Sequence, residues 1–346
     1  MTDSRLKAEQ LAHRAQAIYV TAHGADHPEV AECMGLHAMV LIRQLERSGA
    51  EPQHQTPALV EVAMTDILRL LRNRLQILEP AAGFRGVATA AAVRALIDFY
   101  LAHGRAQDAR ELLHRALASL GGGGDTPGSG GEREATPGPV QVRRADNEYE
   151  YSPEAAAFVY GNALAGLLCE LNEPGESEAM YATCLALPGL DPSDTVALLT
   201  KMADLLANQA GREDDAIEVA KRAIAIERGG GWPSAEAART LATLGVLYKR
   251  RGLPAESERA LRDCVAVTKA KAGLDHKETA KALNTWGTAL KKVGRLEDAV
   301  AAYDESHAIY EALYGSDHTH TLTVLKNLKA AQKKSFRENP APVDPS

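Results

Sequence analysis

Aromatic residues are scarce in this chain: Phe, Trp and Tyr make up only 5% of its 346 positions. Strands favour aromatic and β-branched side chains, so this scarcity, beside abundant alanine, argues against a sheet-based core and for closely packed helices. Cysteine is equally sparse. Cys33, Cys169, Cys184 and Cys264 are scattered without Cys-x-x-Cys spacing. That pattern excludes a disulfide framework or a cysteine zinc site and leaves reduced thiols buried in helices. No apolar run is long enough to cross a bilayer, so no membrane partner is expected. Met1-Thr2-Asp3-Ser4 lacks the apolar core of a secretory signal and carries an acid that transit peptides avoid. The carboxyl end, Val343-Asp344-Pro345-Ser346, offers no prenylation cysteine. A cytoplasmic chain is expected.

Catalytic patterns are missing as well. There is no His-Glu-x-x-His, no nucleophile elbow and no nominable Ser-His-Asp set. Gly121 to Gly124 invites a phosphate-loop reading, but the Gly-Lys-Ser/Thr ending that opens a helix after a strand is absent. No catalytic residue, cofactor or metal is assigned, and the chain is expected not to be an enzyme. A formal net charge of −7 disfavours a general nucleic-acid binder.

What the sequence does contain is repetition. Gly252 and Gly294 lie 42 residues apart, as do Gly273-Leu274-Asp275-His276 and Gly315-Ser316-Asp317-His318. Leu241, Leu244, Gly245 and Tyr248 align with Leu283, Trp286, Gly287 and Leu290; Ser257, Leu261 and Cys264 align with Ala299, Tyr303 and Ser306. Each unit reads as an apolar helical stripe, a glycine break and a second stripe, the signature of a helical solenoid. Gly245 and Gly287, with Ser257 and Ala299, are small enough to let two helices approach closely. Leu261 and Tyr303 would fill the seam, and Trp286 sits in a core stripe. This pattern resembles the tetratricopeptide repeat, in the long variety of kinesin light chains. The resemblance covers 153–336 well and 28–119 moderately. It extends to the repeats but not to the heptad coiled coil by which kinesin light chains bind their motor.

Taken in order, residues 3–22 predict an amphipathic helix, with a first hairpin pairing 28–48 with 57–77 around Gly49 and Pro52. A second hairpin turns at Gly104. Residues 120–148, rich in Gly and Pro, read as a disordered linker. The third hairpin begins at Ser152-Pro153-Glu154 and turns at Gly175, with a loose fit at Ala179 and Met180. The fourth begins at Asp191-Pro192 and turns at Gly211. Gly229-Gly230-Gly231 precedes the two clear repeats. Residues 320–336 predict a capping helix with a polar outer face, and 337–346 a disordered tail. The expected organisation is 1–119, helical repeats; 120–148, linker; 149–336, repeats plus cap. In all, the fold expected is an all-α, right-handed solenoid of about six helical hairpins. Gly24-Ala25-Asp26-His27 is a third copy of the Gly-x-Asp-His turn, in which the aspartate is expected to cap the next helix, most weakly at Asp317. The shared histidines His27, His276 and His318 are expected to bond across the turn.

Charge is distributed unevenly. Residues 235–336 hold 17 Lys/Arg against 12 Asp/Glu, a balance of +5, whereas residues 1–234 hold 21 against 32, a balance of −11. In an array like the one resembled, the first helix of each hairpin lines the concave face. Its non-core positions here are Arg239, Lys249, Lys281, Asn284, Thr288, Lys291, Lys326 and Asn327. The family's habit implies a basic groove for an acidic or extended peptide of a protein partner, with nearby acids such as Asp214-Asp215 and Glu297-Asp298 serving helix starts. The function expected is a non-catalytic interaction scaffold or adaptor. Alternatives are a sensor or assembly arm of a larger complex, a helical-repeat RNA reader and a helical enzyme; period 42 and net acidity disfavour the RNA reader.

Overall fold

Side-chain caps open several of the helices, and five of the hairpins turn on one residue in the left-handed region: Gly104, Asn172, Gly211, Gly252 and Gly294. The computed structural model describes residues 2–49, 57–121, 141–143, 149–230 and 234–338. Helix α1 (Thr2–His23) leads into six helical hairpins. They pair α2 (Pro28–Gly49) with α3 (Pro57–Ala82), α4 (Val87–Ala102) with α5 (Ala106–Gly121), and α6 (Pro153–Glu170) with α7 (Pro174–Leu185). Then come α8 (Pro192–Ala207) with α9 (Glu213–Gly229), α10 (Ala235–Arg250) with α11 (Pro254–Ala272), and α12 (Lys277–Lys292) with α13 (Leu296–Tyr314). Helix α14 (Thr319–Glu338) packs on α13. The all-α solenoid of stacked hairpins is therefore the observed architecture. Among the described residues there is also a 3-10 turn at Gly83–Arg85 and a short antiparallel pair, β1 (Gln141–Arg143) with β2 (Tyr149–Tyr151).

Two compact units divide the chain, residues 1–190 and 191–346. The first contains the hairpin that follows the glycine-rich stretch. Tyr160 of α6 is buried, donates its hydroxyl to Phe84 O at 2.8 Å and meets the Phe84 ring edge-on. Arg110 of α5 pairs with Glu173 and Glu176 beside α7. Helices on the two sides of that stretch thus share one apolar core. The expected linker falls largely outside the described residues, with the strand at 141–143 at its end, and most of the expected tail lies outside them too.

Hydrogen bonds recur at the repeat interval within the second unit. Cys264 Sγ donates to Ala238 O and Ser306 Oγ to Ala280 O. Thr279 Oγ1 donates to Gly273 O, as Thr321 Oγ1 does to Gly315 O. Ser257 Oγ donates to Gly245 O at 2.7 Å, and in the first unit Ser177 Oγ does the same to Ala165 O. That last match fixes the register of the third hairpin: Ser177 and buried Tyr181 occupy the places of Ser257 and Leu261. The turn residue is then Asn172, with φ 59°, beside Gly211 at 80°, Gly252 at 71° and Gly294 at 85°. Gly175 lies inside α7. The expected turn at Gly175 is corrected by three residues, which accounts for the loose fit at Ala179 and Met180. Asparagine tolerates the left-handed region, so the glycine landmark was absent where the turn occurs. Asn172→Val, placing a β-branched residue at that φ, is expected to cost about 1–2 kcal/mol, while Asn172→Gly is neutral or slightly stabilising; thermal unfolding followed by circular dichroism distinguishes them.

The caps divide into two kinds. Ser152 Oγ accepts the Ala155 amide at 3.0 Å and Asp191 Oδ1 the Asp194 amide at 2.7 Å, as their Ser-Pro and Asp-Pro starts predict. In the Gly-x-Asp-His turns the cap is the histidine and not the aspartate. His27, His276 and His318 Nδ1 accept the amides of Glu29, Glu278 and His320 at 3.3, 3.2 and 3.3 Å. The last cap is as close as the others, because a backbone amide is the donor and the identity of residue 320 does not enter. A further repeated device follows the turns: Arg105, Arg212 and Arg295 pair with Asp108, Asp215 and Asp298. Leu322 and Phe336 are exposed on α14, so its outer face is not wholly polar.

Candidate functional site

Side-chain bonds join α8 to α10 and α12 to α14. Thr200 and Thr240 share a buried hydroxyl contact of 2.7 Å between α8 and α10. On the same pair of helices, Asp204 accepts from Arg239 Nε and Nη2, both at 2.8 Å, and from Thr243 Oγ1 at 2.7 Å. Asn327 Nδ2 of α14 donates to Asn284 Oδ1 of α12 at 3.0 Å. These ties come from the helical spacing that puts core residues on one side and leaves the polar ones on the next.

The eight residues nominated from sequence fare differently. Asn284 and Asn327 are brought into direct contact. Thr288 lies beside them, its hydroxyl 3.1 Å from Asn284 O and 3.0 Å from the Tyr303 hydroxyl. Burial pushes the Tyr303 phenol up from its ordinary value, with the Thr288 bond acting the other way. The phenol therefore stays a neutral donor or acceptor beside Thr288. Lys291 Nζ sits 6.0 Å above the same ring. Arg239 is already engaged by Asp204, which neutralises much of its charge. Lys249, Lys281 and Lys326 are exposed and, among the described residues, their ammonium groups have neither an ion pair nor a hydrogen bond. Lys249 and Lys292 border a small cavity of about 230 Å³ lined by Gly252, Pro254, Ser257 and Ala289.

Sequence reasoning missed Asp204, Thr243 and Tyr303. Asp204 belongs to a repeat of different length, so no landmark aligned it with Arg239. Tyr303 was legible as a seam residue, but its hydroxyl passing through to Thr288 was not. Trp286 is held inside the fold. Its indole N–H donates to buried Glu258 at 3.1 Å, and the same carboxylate oxygen accepts from Arg295 at 3.2 Å. A buried acid with two donors is satisfied and structural.

In the first unit a cavity of about 940 Å³ lies among α3, α4 and α5. Its ionisable walls are largely paired: Arg115 with Glu79 at 3.0 Å, and Asp108 with Arg105 at 2.8 Å. No helix among the described residues is long and apolar enough to cross a membrane.

Tetratricopeptide-repeat family profiles match residues 237–278 and 278–341. Comparison with curated protein sequences returns no match. Among solved structures, BtubC (BKLC) from P. vanneervenii is similar over 55% of this chain and 85% of its own, with 18% identity and a TM-score of 0.46. The nearly identical kinesin-light-chain TPR-like repeats of Podosopora anserina cover 65% of this chain and 96% of theirs, with 17% identity and a TM-score of 0.46. A chain of the APC/C hetero-tetramer Cut9-Hcn1 is similar over 93% of this chain and 46% of its own, at 12% identity and a TM-score of 0.47. The eight residues nominated from sequence, Arg239 to Asn327, all fall within the stretches that match the tetratricopeptide-repeat profiles.

Proposed function

We propose that this chain is a non-catalytic interaction scaffold whose α10, α12 and α14 hold an acidic, extended segment of a protein partner. The observation that carries the reading is the pairing of two kinds of group in one place. Lys281 and Lys326 are exposed cations without an internal acid, and they flank the Asn284–Asn327 amide pair. Unpaired ammonium groups attract carboxylates, and an amide pair with spare donor and acceptor capacity suits a peptide backbone. Because the side chains are mounted on packed helices, little ordering entropy is lost on binding. Lys291 extends the positive strip, and Lys249 lies further along at the turn cavity. Arg239, held by Asp204, contributes position more than free charge.

The test is a fluorescence-anisotropy titration of a labelled Glu/Asp-rich peptide against the same peptide with glutamine and asparagine in place of the acids. The acidic peptide is expected to bind more tightly, with an affinity that falls as salt is raised. Equal binding of the two peptides would remove the acidic-partner reading and leave only a scaffold of unspecified preference.

A further inference from the structure

We propose that His23, His27 and Glu29 form a binding site for a divalent transition-metal ion of the zinc class at the turn between α1 and α2. The ligand atoms of these three residues all lie within 4.8 Å of one another. His23 Nε2 is 3.5 Å from Glu29 Oε2, and the two imidazoles stack with ring centroids 4.8 Å apart. A tetrahedral zinc with bonds of about 2.0–2.2 Å holds its ligand atoms roughly 3.3–3.5 Å apart. The observed set is therefore already at, or about 1 Å beyond, the required separation. His23 and Glu29 are exposed and His27 half-buried, so side-chain rotation is enough to close it.

The internal repeats supply a control. All three Gly-x-Asp-His turns have a glycine at positive φ, 91°, 97° and 86° at Gly24, Gly273 and Gly315. All three use the histidine as cap. The first two also place a glutamate two residues later, Glu29 and Glu278. They differ at the residue before the glycine, which is His23 in the first copy, Ala272 in the second and Tyr314 in the third. In the first two copies the turn brings a histidine and a glutamate together for a structural reason, and only the first adds a second imidazole to that pair; the third sets His320 beside His318 in the glutamate's place. Two imidazoles and one carboxylate suit zinc, nickel, cobalt or copper, whereas magnesium and calcium favour all-oxygen sites. Fields from the helix ends nearly offset each other: the N-terminus of α2 repels a cation, while the C-terminus of α1, where His23 stands, attracts one. Binding has a local cost. His27 Nδ1 now accepts the Glu29 amide. Ligation through Nδ1 takes that lone pair, and ligation through Nε2 places a proton on Nδ1, so the long cap contact is given up in either case.

The experiment uses the full chain with His318→Ala and His320→Ala as background, which removes the other exposed histidine pair. Equilibrium dialysis against zinc chloride, with cobalt as spectroscopic stand-in, measures uptake and coordination. One equivalent is expected, with affinity reduced at least tenfold by His23→Ala and by Glu29→Gln. Ala272→His, which rebuilds the constellation on His276 and Glu278, is expected to add a second equivalent. Circular dichroism confirms that each exposed-residue variant stays helical. Equal zinc uptake by the background chain and its His23→Ala form, or no gain on Ala272→His, overturns the proposal.

Discussion

Leucine at Gly245 is expected to lower the stability of the second unit by about 3 kcal/mol or more, at the upper end of what overpacking a core costs. A Cβ built on Gly245 would stand 2.4 Å from Leu261 Cγ and 2.6 Å from its Cδ2. Real carbon atoms do not approach so closely, so even a methyl group forces α10 and α11 apart. Leu261 has nowhere to go, being buried with 2% of its surface exposed. The displacement also strains the 2.7 Å bond from Ser257 to Gly245 O, which lies in the same contact. For a unit of this size the loss corresponds to a fall in melting temperature of roughly 6–12 °C, measured by far-ultraviolet circular dichroism. Adding Leu261→Ala to Gly245→Leu makes room for the new side chain. The double variant is expected to recover more than half of the loss, and the cycle then reports the coupling directly. An unchanged melting temperature in Gly245→Leu would falsify the close-packed register. Gly287→Leu is the same experiment one repeat later, against the Tyr303 ring at 2.9 Å.

That register was legible before any coordinates because two adjacent repeats share both their glycines and their small-large pairs. Gly245 with Leu261 and Gly287 with Tyr303 are local in sequence and repeat at 42, so a shift of either would break both stripes. Legibility fell away wherever the repeat length changed or another residue did a landmark's work. Asn172 performs the turn that glycine performs elsewhere, and the nearest glycine, Gly175, lies three residues later inside α7. The aspartate of Gly-x-Asp-His looked like a cap by composition, yet backbone geometry turns the next side chain, a histidine, onto the amide. The lysines and asparagines of α10, α12 and α14 could be named from helical position alone. Their pairing could not. Whether a cation is free depends on the neighbouring helix, and Asp204 meets Arg239 from a repeat 35 residues earlier in the chain. Periodicity identifies which face a residue occupies; it carries no information about which charge on that face is already answered.

This difference between answered and unanswered cations leads to the other large effect expected. Lys281→Glu with Lys326→Glu should weaken binding of an acidic peptide about a hundredfold, roughly 2.7 kcal/mol, as each reversal replaces an attraction by a repulsion. Stability should change little, because both lysines are exposed and neither has a partner to lose. Arg239→Glu provides the contrast. It sets a second carboxylate against Asp204, where Thr243 alone would remain as donor, so its cost should appear mainly in thermal stability and only modestly in affinity. Anisotropy titrations and melting curves on the same three proteins place each substitution on two axes. Separation of the pair along affinity and of Arg239→Glu along stability would assign the recognition charge to α12 and α14. If the two lysine reversals left affinity unchanged, the positive strip would be a solvated face, and the acidic peptide would have to be held by another surface of the chain.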